Sequence, residues 1–209
     1  MKDGISRVFW YSSPVRMIRI IAGGIVCSLL AGVAPVSAAE APFPDMERSW
    51  YRYQEAVAYL RDKGVIQGYD DGTFRPGNPI NRAELLKIVF KGRSDSEPTG
   101  RRCFSDVNPD AWYAPYVCAA KRRGIVDGYP DGTYKADRTV NFAEAIKIIL
   151  GAYDHEFDEP AGEAWYAPYV ADLDTKEILP AHAYLPWDEL NRERAADLIW
   201  RILRNQDEQ

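Results

Sequence analysis

The feature that most constrains this chain is a segment that occurs twice, 60 residues apart. The first copy reads GVIQGYDDGTFRP at 64–76 and NRAELLKIVF at 81–90, and the second reads GIVDGYPDGTY at 124–134 and NFAEAIKIIL at 141–150. A third, weaker copy reads NRERAADLIWRIL at 191–203, where PAHAYLP at 180–186 replaces the glycine-rich part. Repetition at such a period predicts one structural unit used three times.

Each copy joins turn chemistry to a helix start. Asp-Gly pairs and glycines that allow positive φ predict a structured turn. Asn81 is a favourable N-cap, and Glu84 stands three residues later, where its carboxylate can reach the backbone N–H of the cap. Asn141 and Glu144 repeat this pattern, so the apolar runs that follow are predicted to be capped helices.

A further helix is predicted ahead of each turn. Apolar residues keep helical spacing in YRYQEAVAYL at 51–60 and in YAPYVCAA at 113–120, and YAPYV recurs at 166–170. A basic residue and a glycine end the first two of these helices, at 63–64 and 123–124. The predicted division of the chain is repeats at 42–92, 103–153 and 165–204, polar linkers at 93–102 and 154–164, and a polar tail at 205–209.

Residues 1–39 have the organisation of a signal peptide. Arg16 and Arg19 precede an apolar stretch at 20–33, and the small residues at 36–38 suit cleavage just after position 38 or 39. Met17 is a second candidate for the initiating residue.

Two other fates of this N-terminal segment fit less well. A retained membrane anchor needs about 20 apolar residues, whereas this run is shorter and ends at Pro35. A lipoprotein needs a cysteine where Val33 stands. We therefore expect an exported protein with no stable membrane anchor after cleavage.

The charge of the mature chain limits its partners. Residues 1–39 carry four basic side chains and one acidic one, so of the 26 basic and 31 acidic residues 22 and 30 remain, a net charge of −8. An acidic surface argues against nucleic acid and against anionic lipid as partners.

Cleavage also removes Cys27 and leaves Cys103 and Cys118. Two cysteines in an exported protein favour a disulfide. A metal site would need further cysteines or histidines nearby, and the chain's two histidines are His155 and His182. A redox pair more often has the Cys-x-x-Cys spacing.

Enzymatic patterns are weak. The segment 70–72 lacks the spaced ligands and closing glutamate of a calcium loop. Acidic clusters at 156–159 and 188–189 are more typical of solvated faces than of paired catalytic carboxylates, and there is no nucleophile–base pattern. We expect no catalytic residue, cofactor or metal.

The FPDM and FSDV entries at 43–46 and 104–107, the Trp-Tyr pairs, the glycine-rich loop and the Asn-Arg-Ala-Glu helix start resemble S-layer homology (SLH) repeats. The resemblance covers about residues 42–204. It implies an all-α, pseudo-threefold fold, with one helix of each copy packed centrally and grooves between copies. It also implies binding of a secondary cell-wall polysaccharide whose terminal sugar carries a pyruvate ketal.

In that family the arginine of the helix start grips the ligand carboxylate. Arg82, with Glu84 two residues later, is the leading candidate here, although an exposed arginine more often forms an ordinary surface ion pair. Arg192 occupies the same place in the third copy. Phe142 replaces the arginine in the second copy, which predicts that the groove of the second repeat is weak or lost.

The remaining candidates have structural alternatives. A repeated tryptophan is more often core than a stacking platform for sugar rings. The aspartates are helix caps or acceptors for sugar hydroxyls, and the loop glycines are most simply backbone requirements. These candidates are Trp50, Trp112, Trp165, Asp45, Asp106, Gly68 and Gly128.

The predicted function is non-covalent attachment of an exported module to a cell-wall polysaccharide or a related envelope glycan. The alternative is an interaction module for an envelope protein, with grooves that have lost glycan binding. A calcium-dependent structural protein is a third possibility.

Overall fold

The computed structural model describes residues 41–93, 99–100, 102–153, 164–179 and 184–207. The predicted signal peptide and most of both predicted linkers lie outside the described residues. Within the described residues there are six α-helices and no β-strand, which confirms the all-α fold class. None of these helices is long and apolar enough to cross a bilayer.

Every repeat contributes two of the six helices. A short 3-10 turn at Pro44–Met46 precedes the first of them. The helices are α1 (Tyr51–Asp62), α2 (Arg82–Gly92), α3 (Ala114–Arg122), α4 (Phe142–Ala152), α5 (Ala167–Thr175) and α6 (Arg192–Asp207). Helix α6 runs three residues into the segment predicted as a polar tail.

The second helix of each repeat starts at the predicted asparagine cap. The Asn81 side chain accepts the Glu84 N–H at 2.8 Å, and the Glu84 carboxylate accepts the Asn81 N–H at 3.1 Å. Asn141 and Glu144 form the same reciprocal pair at 2.9 and 3.2 Å. Asn191 caps α6, accepting the N–H of the residue three positions on at 3.0 Å. The predicted capping boxes are confirmed, since each satisfies two otherwise unpaired N–H groups.

Three backbone hydrogen bonds close the repeats into a ring. The N–H of Ile80 donates to the carbonyl of Leu190 at 3.0 Å, that of Leu190 to Val140 at 3.0 Å, and that of Val140 to Ile80 at 3.2 Å. All three side chains are completely buried. Each repeat therefore both donates to one neighbour and accepts from the other, which gives the pseudo-threefold arrangement.

Helix packing follows the same cyclic order. Helices α2, α4 and α6 contact one another at the centre, and the first helix of each repeat packs on the second helix of the preceding one: α3 on α2, α5 on α4, and α1 on α6. The central helices bury their apolar faces completely, through Leu85, Leu86, Val89, Ala145, Ile146, Ile149, Leu150, Ala195, Leu198, Ile199 and Ile202. Because no repeat can bury such a face alone, the three copies fold as one core.

The predicted disulfide is present. Cys103 and Cys118 are joined, with their Cα atoms 5.2 Å apart and a sequence separation of 15. The bond ties the entry of the second repeat to α3. In the chain-entropy model a loop of this size stabilises the folded state by about 3 kcal/mol.

Candidate functional site

A groove at each of two repeat boundaries combines residues from all three repeats. The first groove is a cavity of about 320 Å³. The loop 64–69 and the α2 residues Glu84 and Lys87 form its floor, while Trp112 comes from the second repeat and Arg192 from the third.

The second groove has the same plan, shifted by one repeat. Its cavity of about 210 Å³ is lined by the loop 125–129 and by Glu144 and Lys147 of α4. Trp165 comes from the third repeat and Arg82 from the first.

Each arginine therefore serves the groove of the next repeat in the ring. The start of α2 is bonded to the second-repeat loop, with the Arg82 N–H donating to the Arg138 carbonyl at 3.0 Å and the Ala83 N–H to the Ala136 carbonyl at 3.1 Å. Phe142 consequently lies at the third boundary, so the reason for expecting a weak second groove, the lack of an arginine there, is wrong. That groove has an arginine, because Arg82 reaches it from the neighbouring repeat.

The guanidinium of Arg192 is held from several sides. Its Nε donates to the carbonyl of Phe74 at 2.9 Å, and its carbon lies 4.8 and 4.9 Å from the ring centroids of Tyr69 and Phe74. Nη1 lies 3.7 Å from a carboxylate oxygen of Glu84. With 7% of the residue exposed, the arginine is anchored before any ligand arrives.

Arg82 repeats this geometry in the second groove. Its Nε donates to the Tyr134 carbonyl at 3.0 Å, and its guanidinium lies 4.5 and 5.4 Å from the rings of Tyr134 and Tyr129. It is also 7% exposed. Cation–π contact and a backbone acceptor orient both guanidinium groups, so little side-chain freedom is left to lose on binding.

The groove tryptophans are exposed, so the expectation that they belong to the core is wrong. Trp112 is 52% and Trp165 is 49% exposed. The ammonium of Lys87 lies 5.5 Å from the Trp112 ring centroid. An exposed indole in a groove that also holds an arginine and a lysine offers an apolar face to a sugar ring, with positive charge nearby for an anionic substituent.

Trp50 is not the counterpart of Trp112, although both precede a tyrosine. Hydrogen bonds from Val65 to Leu60 and from Ile125 to Ala120 set the register of the first helices. In this register Arg52, not Trp50, occupies the position of Trp112. Trp50 is 56% exposed and lies against Tyr53, with ring centroids 6.1 Å apart, outside both grooves.

Asp45 and Asp106 do not cap the first helices; their carboxylates accept backbone N–H groups of the loops, and the predicted contact with sugar hydroxyls stays a prediction. The Asp45 carboxylate accepts the N–H groups of Phe74 and Arg75 at 2.9 and 2.6 Å. Asp106 accepts the two equivalent N–H groups of the second repeat at 2.8 and 2.7 Å. Arg75 and Lys135 have φ of 57° and 58°, so each aspartate holds a left-handed turn that supports the groove floor.

Gly68 and Gly128 are backbone requirements, as predicted. Their φ values are 70° and 80°. A Cβ on Gly68 would lie 2.6 Å from the ring of Phe43 and 2.8 Å from the carbonyl of Thr73. Only glycine allows this approach without displacing the loop.

The third boundary has different chemistry. Phe142 is 2% exposed, and its ring lies 5.1 Å from that of Tyr184. Asp197, completely buried, stands at the α6 position that Lys87 and Lys147 hold in the other repeats.

Asp197 is held by positive charge inside the protein. It accepts a hydrogen bond from the Arg201 Nε at 3.1 Å, and Arg52 attracts it from α1. Burial raises the pKa of the Asp197 carboxyl, which Arg201 and Arg52 partly oppose. Arginine, tryptophan and lysine of the first two grooves are thus replaced here by phenylalanine, arginine and aspartate.

A closed ring of helical pairs with arginine and tryptophan at its boundaries defines a repeat-built binding module. Residues 42–86 and 104–146 match the family model of the S-layer homology domain. This supports the resemblance for the first and second repeats, while assignment of the third remains a prediction that its place in the ring favours.

The chain is also similar to curated surface proteins. An S-layer protein of Bacillus licheniformis is 30% identical over 138 residues, 65% of this chain and 16% of that protein. S-layer protein EA1 of Bacillus anthracis is 32% identical, with 65% and 16% covered. The surface-layer 125 kDa protein of Lysinibacillus sphaericus is 30% identical over 169 residues, 81% of this chain and 13% of that protein. The chain spans less than a fifth of each relative.

Proposed function

We propose that this chain is an exported cell-surface module that attaches non-covalently to an anionic secondary cell-wall polysaccharide, such as one ending in a pyruvate ketal. The first and second grooves are the binding sites. The observation that carries this proposal is the pairing, in both grooves, of an anchored guanidinium with a half-exposed indole.

The chemistry of the grooves suits a charged sugar. A guanidinium binds a carboxylate through two parallel hydrogen bonds, worth about 1.5–3 kcal/mol when charge-assisted. The tryptophan supplies the apolar face that carbohydrate rings need, and the nearby lysine adds positive charge. None of these groups is arranged for bond cleavage, so the proposed role is attachment without catalysis.

The relatives support the location. Their names describe surface-layer proteins, and the predicted signal peptide directs export. The third boundary favours a second candidate, an interaction module for an envelope protein, because there Phe142 and Asp197 replace the arginine and lysine of the grooves.

Binding to purified cell-wall sacculi, with and without their secondary polymer, tests the proposal. Capture of the protein should require the polymer. Arg192→Ala should weaken polymer binding in the first groove, and Arg82→Ala in the second. The expected loss of affinity at the affected groove is about tenfold to a hundredfold, the effect of losing one charge-assisted pair. Arg61→Ala is the matched control, because Arg61 donates to the Pro42 carbonyl outside both grooves.

Both groove arginines also bond to backbone carbonyls, so circular dichroism and urea unfolding must show that the variants fold. Trp112→Ala and Trp165→Ala give an independent check, since these exposed side chains contribute little to the core. Polymer binding unchanged in the double arginine variant, or capture by polymer-free sacculi alone, would reject glycan attachment and favour a protein partner.

A further inference from the structure

We propose that the third boundary, where the first repeat meets the last, holds a binding site for an uncharged sugar, with Trp50 as its stacking surface. The site is lined by a different set of residues from those of the two grooves. The inference therefore goes beyond the attachment function proposed for the grooves and does not depend on it.

A cavity of about 480 Å³ lies at this boundary. It is larger than the cavities of the first and second grooves, and its volume is in the range typical of small-ligand sites. Its wall combines aromatic and charged side chains of both repeats. The first repeat contributes Asp45, Arg48 and Trp50, and the third contributes Tyr184, Glu193 and Arg194.

Trp50 has the exposure that a stacking surface needs. It is 56% exposed, against 52% for Trp112 and 49% for Trp165. The guanidinium carbon of Arg52 lies 5.3 Å from its ring centroid, and the Tyr53 ring is nearly parallel to the indole, with 12° between the planes. These contacts orient the indole, and its exposed surface is flat and apolar, as the C–H face of a pyranose requires.

The segments that carry these side chains are held in place. The Gln54 side chain donates to the carbonyls of Met46 and Ser49 at 3.0 and 2.9 Å, which fixes the entry segment of the first repeat on α1. The Glu193 N–H donates to the Pro76 carbonyl at 3.2 Å, which ties the start of α6 to the first repeat. A site built on segments fixed in this way loses little conformational freedom when a ligand binds.

The charged side chains that line the cavity balance one another. Arg48 and Arg194 supply two cations, and Asp45 and Glu193 supply two carboxylates. The carboxylates repel an anionic sugar, and the guanidinium groups repel a cationic one. A sugar hydroxyl, in contrast, can donate to a carboxylate and accept from a guanidinium in the same site. The balance therefore favours an uncharged sugar.

The position of the groove arginine also differs here. Phe142 holds that position and packs against Tyr184, with ring centroids 5.1 Å apart. The guanidinium carbon of Arg194 lies 5.2 Å from the centroid of the same tyrosine ring, and Arg194 shares the cavity with the Glu193 carboxylate. A mixture of donors and acceptors thus replaces the anchored guanidinium that suits a single carboxylate in the grooves.

Heteronuclear NMR of the isotope-labelled protein tests this assignment through the indole N–H resonances. The Trp50 resonance is identified by its loss in Trp50→Phe. The probes are three uncharged trisaccharides, of glucose, mannose and N-acetylglucosamine, with trigalacturonate as the anionic comparison. At least one uncharged trisaccharide should shift the Trp50 resonance saturably, with a Kd on the order of 1 mM, and trigalacturonate should bind there about fivefold more weakly.

Variants of the lining can be followed through the backbone N–H resonance of Glu193. Trp50→Ala should weaken binding of the uncharged trisaccharide about tenfold, because the stacking surface is lost. Arg194→Ala, which removes hydrogen-bond donors, should weaken it about fivefold. Trp187→Ala is the matched control, since Trp187 is 66% exposed and lies outside the cavity lining.

The outcomes separate this site from the grooves. A Trp50 resonance unchanged by all three uncharged trisaccharides up to about 20 mM, well above the expected Kd, would overturn the proposal. Equal responses of Trp50 and Trp187, tighter binding of trigalacturonate, or unchanged affinity in a folded Trp50→Ala would do the same. The attachment function stands in each of these cases, because polymer capture through Arg82 and Arg192 tests it. The titration of the wild type needs no lining variant, so the proposal remains testable if Trp50→Ala fails to fold.

Discussion

The first two grooves and the third boundary share one backbone plan and differ in the side chains placed on it. All three boundaries keep the ring hydrogen bonds and an asparagine cap. At the third, Phe142, Arg52 and Asp197 stand where the grooves have arginine, tryptophan and lysine. The backbone plan is therefore maintained by caps and ring bonds, while binding depends on side chains that can be exchanged without opening the ring.

The exchanges at the third boundary compensate one another. In the first groove a lysine faces an indole, with 5.5 Å between the Lys87 ammonium and the Trp112 ring centroid. At the third boundary the aspartate faces an arginine of α1, so attraction between charges replaces a cation–π contact. This boundary joins the first repeat to the last, and Arg201 and Arg52 partly compensate the charge of its buried aspartate.

Restoring the groove lysine at the third boundary should have the largest effect on stability. Asp197→Lys buries an ammonium beside Arg52 and Arg201 and removes their acidic partner. Breaking a buried ion pair in this way destabilises by about 3–5 kcal/mol, measurable as a loss in the free energy of unfolding by urea.

The reverse exchange in the first groove is the control for this variant. Lys87→Asp should change stability by less than about 1 kcal/mol, because its side chain is partly exposed. Equal effects of the two exchanges would show that the third boundary is no more closed than the grooves.

A smaller, pH-dependent difference should separate the wild type from Asp197→Asn. Burial raises the pKa of Asp197 in the folded state, so the folded protein holds this proton more tightly than the unfolded chain. The protonated Asp197 carboxyl therefore stabilises the folded state. This stabilisation is complete below the pKa of aspartate in the unfolded chain, about 3.9, and is lost as the pH rises through the pKa of Asp197 in the folded state.

The free energy of unfolding of Asp197→Asn minus that of the wild type should therefore increase with pH across this interval. Urea unfolding of both proteins at matched pH values measures it. Asp71 and Asp131, whose pKa values hydrogen bonds from Thr73 and Thr133 lower, act in the opposite direction, but they are present in both proteins and cancel. A difference that decreases with pH would mean that Arg201 and Arg52 outweigh burial.

Local chemistry made the fold predictable from the sequence. The 60-residue period, the Asn81 and Asn141 caps and the pairing of Cys103 with Cys118 depend on neighbours in the chain or on the count of cysteines, and the structure confirms each.

Groove composition could not be predicted in this way, because it depends on contacts between repeats. The arginine of one repeat serves the groove of the next. Alignment of the copies therefore places the missing arginine, replaced by Phe142, in the second groove, whereas the structure places it at the third boundary. The Trp-Tyr pair at 50–51 is shifted by two residues relative to the helix register, which matching sequence letters conceals. Exposure of Trp112 likewise follows from the groove and not from hydrophobicity.

The smallest predicted effect concerns the turn after the first helix of each repeat. Gly64 and Gly124 have φ of 71° and 70° there, and the third repeat has Glu177 at 55°. A left-handed conformation costs a non-glycine residue about 1–2 kcal/mol. Replacing that residue by glycine removes this cost but adds freedom to the unfolded chain, which takes back about 0.4–1 kcal/mol. Glu177→Gly should therefore stabilise the protein by about 0.5–1 kcal/mol in urea unfolding, with glycan binding unchanged.

Gly124→Ala, the opposite exchange in the second repeat, should destabilise it by a similar amount. A loss of stability in Glu177→Gly would show that the glutamate side chain contributes more to the third repeat than its backbone conformation takes away.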